Sequence, residues 1–333
     1  MSGNKTKEEK IKLLRNIPGD GLVELAEMNE ISKNMKNKEL IDILSDVAEY
    51  ELIKSVYKQF KDAGRSTINL FQLRSISEFK KKENLEKLRG ELNKLTKENS
   101  NALSKFKVAD VKILEQKKLK INLESKGKKI NEIDAETKEI IDFYPLVKIL
   151  IIIHLNDGLV EIRTRDHSLA NLTCAELSKI ICKVRKELNE EANCLKHIDI
   201  KFNENELDKI IEWASKFRNA TMKSLSGGIS SLRMTASEDS DLREENLYSQ
   251  RDDILGTCER TGIYVQFDSK VNERTRNIGF QINAKQGKLH FKTQSREMEI
   301  DSVLEKIKEI KGLNLKEDET CSTDQKVQDI MEA

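Results

Sequence analysis

The stretch Val147-Lys-Ile-Leu-Ile-Ile-Ile-His-Leu-Asn-Asp-Gly-Leu-Val-Glu-Ile-Arg-Thr164 decides the fold class. Residues 147–155 form an apolar run containing Lys148, about half of what a bilayer needs, and read as a buried strand. Asn156-Asp-Gly158 is a tight-turn signal, and 159–165 returns as the second arm of a hairpin. Upstream, Leu119, Ile121 and Leu123 alternate with polar residues, the period of a half-buried strand. Residues 130–133 and 139–144 flank the turn-like Asp134-Ala-Glu-Thr-Lys138 and read as a further hairpin. Pro145 cannot donate to a ladder, so a bulge or sheet edge belongs there. The whole is an antiparallel meander.

The pattern returns later in the chain. Asp157-Gly-Leu-Val-Glu-Ile-Arg-Thr164 can be laid on Gln286-Gly-Lys-Leu-His-Phe-Lys-Thr293, with glycine, an inward apolar residue, a basic residue and threonine in the same order. Each stretch ends a run of strands and precedes an amphipathic helix. This predicts a duplicated strand-strand-helix unit over 118–313, its copies side by side in one curved antiparallel sheet with helices on one face. Strands are also expected at 198–202, 263–267, 277–283 and 288–293.

Helix signals complete the α+β reading. Thr173 and Glu176 have capping-box spacing ahead of Leu177, Ile180, Ile181, Val184 and Leu188. Asn203 and Glu206 repeat it ahead of Leu207, Ile210, Ile211, Ala214 and Phe217. Asp301 is expected to cap a last helix that ends at Gly312. Residues 227–262 are mostly polar, with a mobile centre at 237–253, and 316–333 read as a disordered acidic tail. At the other end, stripes at Leu22–Ala26, Leu40–Val47 and Leu52–Phe60 predict a small all-α domain over 11–62. Between lies 75–107, where Leu85, Leu88, Leu92 and Leu95 repeat at three and four residues. That spacing fits a basic helical arm or short coiled coil, through which the chain would self-associate or bind a partner over 81–106. It equally fits a helix packed on its own chain.

Composition bounds the function. Of 333 residues 35% are charged, 37% hydrophobic and 5% aromatic, with a formal net charge of +1, so no global excess of charge marks a nucleic-acid binder. The first sixteen residues contain no apolar secretory core, and five cysteines suit a reducing compartment, so a cytoplasmic protein without a membrane segment is expected.

Two resemblances rest on these segments. The duplicated sheet unit over 119–313 resembles the TATA-binding-protein-like fold in topology, and more loosely the centromere N and L proteins, which place a helical domain before such a sheet. Residues 20–47, an apolar helix, an extended link and Lys36-Asn-Lys-Glu-Leu-Ile-Asp-Ile-Leu44, resemble the SAP or Rho-N helix-extension-helix module. That likeness implies DNA-backbone contact at Lys33, Asn34, Lys36 and Lys38.

Charge is unevenly spread: 54–129 holds 21 Lys and Arg against 9 Asp and Glu. A segregated basic segment is a footprint for phosphate. The expected contacts are Lys33, Lys36 and Lys38, then Lys80, Lys81, Lys82, Lys117, Lys118 and Lys120, with Arg163, Arg165, Arg274 and Arg276 as sheet candidates. Few aromatics interrupt the basic clusters, so base stacking on single strands is not the expected mode, and contacts to the backbone with little base readout are. Among enzyme signatures, phosphate-binding, dinucleotide, zinc-protease and serine-hydrolase motifs are all missing. Cys174, Cys182, Cys194 and His197 lack the paired knuckles of a zinc site. His167 beside Asp166 reads as surface placement, and Gly227-Gly228 as a turn. The expected function is non-enzymatic nucleic-acid binding, DNA before RNA, without metal or cofactor. The alternative is a protein-interaction scaffold acting through the heptad segment and an open sheet edge.

Overall fold

The computed structural model describes residues 6–63, 66–73, 76–97, 107–114, 117–126, 130–133, 140–143, 146–188, 197–225, 230–237, 240–250, 257–271 and 274–313. It is an α+β structure. Helices α1 (Lys7–Leu14), α2 (Gly19–Met28), α3 (Asn37–Val47) and α4 (Tyr50–Lys61) enclose their own core of Leu14, Leu22, Leu25, Leu40, Leu44, Ile53 and Phe60. Asp20 lies inside α2, which Pro18 precedes.

Strand β1 (Thr67–Leu73), in the interval between the expected domains, is the centre of the sheet. After it come α5 (Lys82–Lys97), β2 (Lys107–Leu114), β3 (Lys118–Lys126), the separate hairpin β4 (Ile130–Ile133) and β5 (Ile140–Phe143), β6 (Leu146–His154), β7 (Leu159–Arg163) and α6 (His167–Glu187). The chain continues through β8 (His197–Asp199), α7 (Glu204–Trp213), β9 (Lys216–Ser224), β10 (Ser231–Thr235), α8 (Asn246–Ser249), β11 (Cys258–Val271), β12 (Arg274–Asn283), β13 (Lys288–Phe291) and α9 (Glu297–Lys311). The large sheet runs β10-β9-β11-β12-β13-β1-β7-β6-β3-β2, with β8 also on β1. All described pairings are antiparallel.

The period of two along β1 determines the layering. Ile68 and Leu70 enter a core with α7 and α9 over β9, β11, β12 and β13. Phe71 and Leu73 enter the opposite core, with α5 and α6 over β2, β3, β6 and β7. The helices therefore lie on both sides of the sheet, which corrects the expectation of a single helical face. The heptad leucines are part of this arrangement. Leu85, Leu88 and Leu92 are buried among the chain's own strands, so the seam that would have made a coiled coil is already filled. The arm, at least over α5, is a layer of the sheet unit.

Other boundaries move for local reasons. Asp166, not Thr173, caps α6, its carboxylate accepting from the Leu169 N–H at 3.1 Å. The Asn203–Glu206 capping box on α7 is present as expected. That helix ends at Trp213, and Phe217 sits on β9 with its side chain in the same core. The polar interval contains β10 and α8 with buried Leu242 and Tyr248. Arg296 precedes α9 and the Glu299 carboxylate takes its N–H at 2.7 Å, leaving Asp301 inside the helix. The expected tail at 316–333 lies outside the described residues.

Gly158 and Gly287, the aligned glycines, have φ of 73° and 58°. Both close on the centre of the sheet: the Leu73 N–H donates to the Gly158 carbonyl at 2.9 Å and the Leu70 N–H to that of Gly287 at 3.0 Å. A Cβ would meet the Leu73 carbonyl at the first and the Ile200 carbonyl at the second. Alanine at either is expected to lower unfolding stability by about 1–3 kcal/mol in urea titration. Gly90→Ala, in helix α5 with open space around it, should instead raise stability by up to about 1 kcal/mol.

Candidate nucleic-acid interface

The outward side of β13, β12, β11, β9 and β10, opposite α7 and α9, is polar. Alternation sends Ile278, Phe280, Ile282, Leu289 and Phe291 into the core and their neighbours outward. Cross-strand register lines up Thr67, His290, Gln281, Tyr264, Asn219 and Thr235 in one row. The next row is Asn69, Lys288, Asn283, Gly262, Thr221 and Arg233. Among the described residues no helix packs on this side of the five strands.

Cations gather at one end of the face. Arg165, Lys288 and His290 line a depression of about 530 Å3 with Thr67, Gln281, Asn283 and Gln286. Arg165 and Lys292 are exposed, and the Lys288 ammonium donates to the Arg165 carbonyl at 2.7 Å. His290 is held below the ordinary histidine value by burial first and then by the charges of Lys292, Arg165 and Lys288, its Nδ1 lying 2.8 Å from the Thr67 hydroxyl. Lys216, Lys223 and Arg233 extend the positive charge across β9 and β10. The carboxylates at this surface have internal partners. Asp268 accepts from the Asn277 amide at 3.1 Å, and Glu259 pairs with Lys285. These six Lys and Arg residues (165, 216, 223, 233, 288 and 292) make no ion pair among the described residues.

Several expected contacts are consumed by the fold itself. Arg163 is 7% exposed and holds Glu161 at 3.0 Å, Glu297 at 2.7 Å and the Asp62 carbonyl at 2.7 Å. Lys118 pairs with Asp301 at 2.7 Å, and Lys120 with Asp62 at 2.5 Å. Arg276 pairs with Glu299 at 2.8 Å and Asp20 at 3.0 Å. These four are tied to carboxylates that join α9 and the helical domain to the sheet, so their charge is engaged within the fold. Lys33, Lys36, Lys38, Lys80, Lys81, Lys82 and Lys117 are exposed, Lys33 standing 3.6 Å from Glu27. Lys80 and Lys82 share a groove of about 360 Å3 with Arg89 and Lys112, but Asp110 pairs with Lys112 at 2.8 Å. Arg165 alone of the thirteen joins the β13 cluster, and the Arg274 side chain lies outside the described residues. Sequence reading missed Lys288, His290 and Lys292, although Lys288-Leu-His-Phe-Lys292 carries the alternation of a strand with one basic face.

The most perturbed groups lie elsewhere and have a structural role. Burial acts to raise the Glu161 pKa, but the Arg163 charge and the His154 hydrogen bond outweigh it and bring it down to about 2. His154 Nε2 meets Glu161 at 2.6 Å, and Lys308 approaches Nδ1 at 3.0 Å and Asp157 at 2.8 Å. An ammonium only donates, so Nε2 carries the histidine hydrogen given to Glu161. With Glu161 at 0%, His154 at 3% and Lys308 at 3% exposure, this network has no access for a substrate.

The remaining chemical candidates resolve similarly. His167 bonds Asn69 and Asn171, each at 3.0 Å, and stacks on Phe71, so it does not face Asp166. Burial, then the nearby Asp199 charge, push the Cys174 thiol up to about 12, which disfavours the thiolate a metal requires. Cys194 and Gly227-Gly228 lie outside the described residues, among which no cluster of three metal-ligating side chains occurs. No described helix is long and apolar enough to cross a membrane. No protein-family model matches this chain, and no curated protein matches it.

Two outcomes follow from these charges. In an NMR titration the His290 ring should have its midpoint below 6.5 and move upward in Lys292→Ala, because a neighbouring cation is removed. Glu161→Gln should cost about 3 kcal/mol or more at pH 7 in denaturant unfolding, since it leaves buried cations short of a partner. The Glu161 carboxylate has a depressed folded pKa. Its contribution is therefore full above the unfolded value near 4.5 and fades as pH falls toward 2, so the variant's deficit should shrink across that interval.

Proposed function

We propose that this chain is a non-enzymatic, cytoplasmic nucleic-acid-binding protein whose contacts are mainly to phosphate, with DNA favoured. The single observation that carries the reading is the uncovered β9–β13 face. There Arg165, Lys288 and Lys292 surround a half-buried histidine, and no carboxylate among the described residues neutralises them. Surface lysines that neutralise one another's neighbours contribute little, whereas a convergent unpaired group attracts a polyanion at long range. The other exposed lysines at 33–38, 80–82 and 117 add steering around this centre.

The repeated run of strand, helix, strands and helix, first β1 to α6 and then β8 to α9, supports reading the sheet unit as two copies of one ancestral element. The aligned glycines at equivalent turns support it further. Taken together, the resemblance of the sheet unit to TATA-binding-protein-like folds and of 20–47 to a SAP module favour DNA over RNA. A protein scaffold is the second reading, since β2 and β10 end the described sheet. It lacks the heptad seam, which α5 uses internally.

Removing Lys288 and Lys292 together as alanines should weaken binding to a duplex DNA oligomer at least tenfold in fluorescence anisotropy. It should also reduce the slope of log K against log salt by about one to two. Lys118→Ala, whose side chain is paired with Asp301, should leave the slope unchanged. Equal slopes in all three proteins would remove the face from the site.

A further inference from the structure

Tyr264 stands in the middle of this face, on β11. Its direct neighbours across the strands are Gln281 on one side and Asn219 on the other. The diagonal neighbour on β12 is Gly279, and a Cβ built there would collide with the Tyr264 hydroxyl and lie 3.0 Å from two ring carbons. The phenol thus leans along the sheet with its hydroxyl end against the buried glycine, instead of standing straight up from its own strand. Aromatic cover of a strand glycine is a known packing device. Here it also leaves an aromatic ring half-exposed in the middle of the polar face. Tyr264 is half-buried and makes no hydrogen bond or ring contact among the described residues.

The surroundings suit a nucleobase. The Gln281 side chain, also half-buried, has no hydrogen bond among the described residues, so both its amide oxygen and its NH2 remain for a base edge. The neighbouring amides are engaged: Asn219 donates to the Thr235 hydroxyl at 2.6 Å, and Asn283 accepts from the Gln286 N–H at 3.1 Å. Lys288 on β13 and Lys292 just past its end lie two strands from Tyr264, about 10 Å across at ordinary strand spacing. A half-exposed aromatic, an open amide beside it and cations alongside together match the parts of one unstacked nucleotide and its phosphate. A duplex keeps its bases stacked on each other and offers no π-face to such a ring.

We propose that the β9–β13 face binds single-stranded DNA, with one base stacked on Tyr264 and hydrogen-bonded by Gln281 while the adjoining phosphates lie along Lys288 and Lys292. This rests on the nucleic-acid reading above and adds strandedness to it. The aromatic that supplies stacking is outside the basic stretch 54–129, which is why its sparse aromatics gave no hint of it.

The test uses the full chain, a dT15 strand, an rU15 strand and a 15-base-pair duplex, with Kd from fluorescence anisotropy at fixed salt. Tyr264→Phe keeps the ring, and Tyr264→Leu keeps an apolar cover on Gly279 without a π-face. Circular dichroism and urea midpoints confirm that both fold. The wild type should bind dT15 more tightly than the duplex and than rU15. Tyr264→Phe should stay within twofold, and Tyr264→Leu should lose roughly 5- to 100-fold on dT15 while leaving the duplex unchanged. Duplex binding equal to or tighter than dT15, or an unaffected Tyr264→Leu, overturns the single-strand proposal, while lysine-dependent binding would keep the broader reading standing. Preference for rU15 overturns the choice of DNA. Absence of binding to all three ligands overturns both.

Discussion

The structure depends on a strand paired along both edges. β1 is antiparallel to β7 on one side and to β13 and β8 on the other, with six of its seven residues buried. Its alternate side chains supply two different cores, so neither half of the sheet closes without it. Each large side chain committed this way is worth about 1.5–3 kcal/mol of burial, and Ile68, Leu70 and Phe71 are all at 0% exposure. Because the two cores lie on opposite sides, α5 and α6 shield one side of one half and α7 and α9 the other side of the other half. The surface left between these layers is the polar face of β9–β13. Its exposure is thus a result of the topology.

Electrostatics completes the asymmetry. α9 crosses to the β7 half through ion pairs: Glu297 to Arg163, Asp301 to Lys118, and Lys308 to Asp157. The helical domain is fastened in the same way, Glu24 to Arg296 at 2.5 Å and Asp20 to Arg276. Such pairs cost desolvation, so they fix where elements sit more than they add stability. They also sort the basic residues into two populations. Those facing α9 and α4 have carboxylate partners. Among the described residues, Arg165, Lys288 and Lys292 do not, and His290 beside them is held below its ordinary value by burial and then by their charges.

How much of this was legible depended on whether the signal was local. The Val147–Thr164 hairpin, the Asn203–Glu206 cap and the αL glycine at 312 are all written within a few residues, and each stands where expected. β1 was missed because Thr67-Ile-Asn-Leu-Phe-Gln-Leu73 is buried on both sides and shows little alternation. The leucine spacing on α5 was read correctly as one buried face, but spacing does not say whether that face meets a partner or the chain itself. For the site, local charge density does not tell which cations already have partners. Besides Glu161, two residues from Arg163, the partners of Lys118, Lys120 and Arg163 include carboxylates 58 to 183 residues away, a distance no window detects. The β13 cluster assembles from residues 165, 288, 290 and 292, which come together only through the pairing of β13 with β1 beside β7.

Lysine acetylation, read by mass spectrometry with and without saturating DNA, tests most directly whether the face left open by this topology is the one that meets nucleic acid. The account predicts that Lys288 and Lys292 lose reactivity in the complex while Lys33, Lys36, Lys38, Lys80, Lys81 and Lys82 change little. Continued reactivity at Lys288 and Lys292, with protection at 33–38 or 80–82, would contradict it.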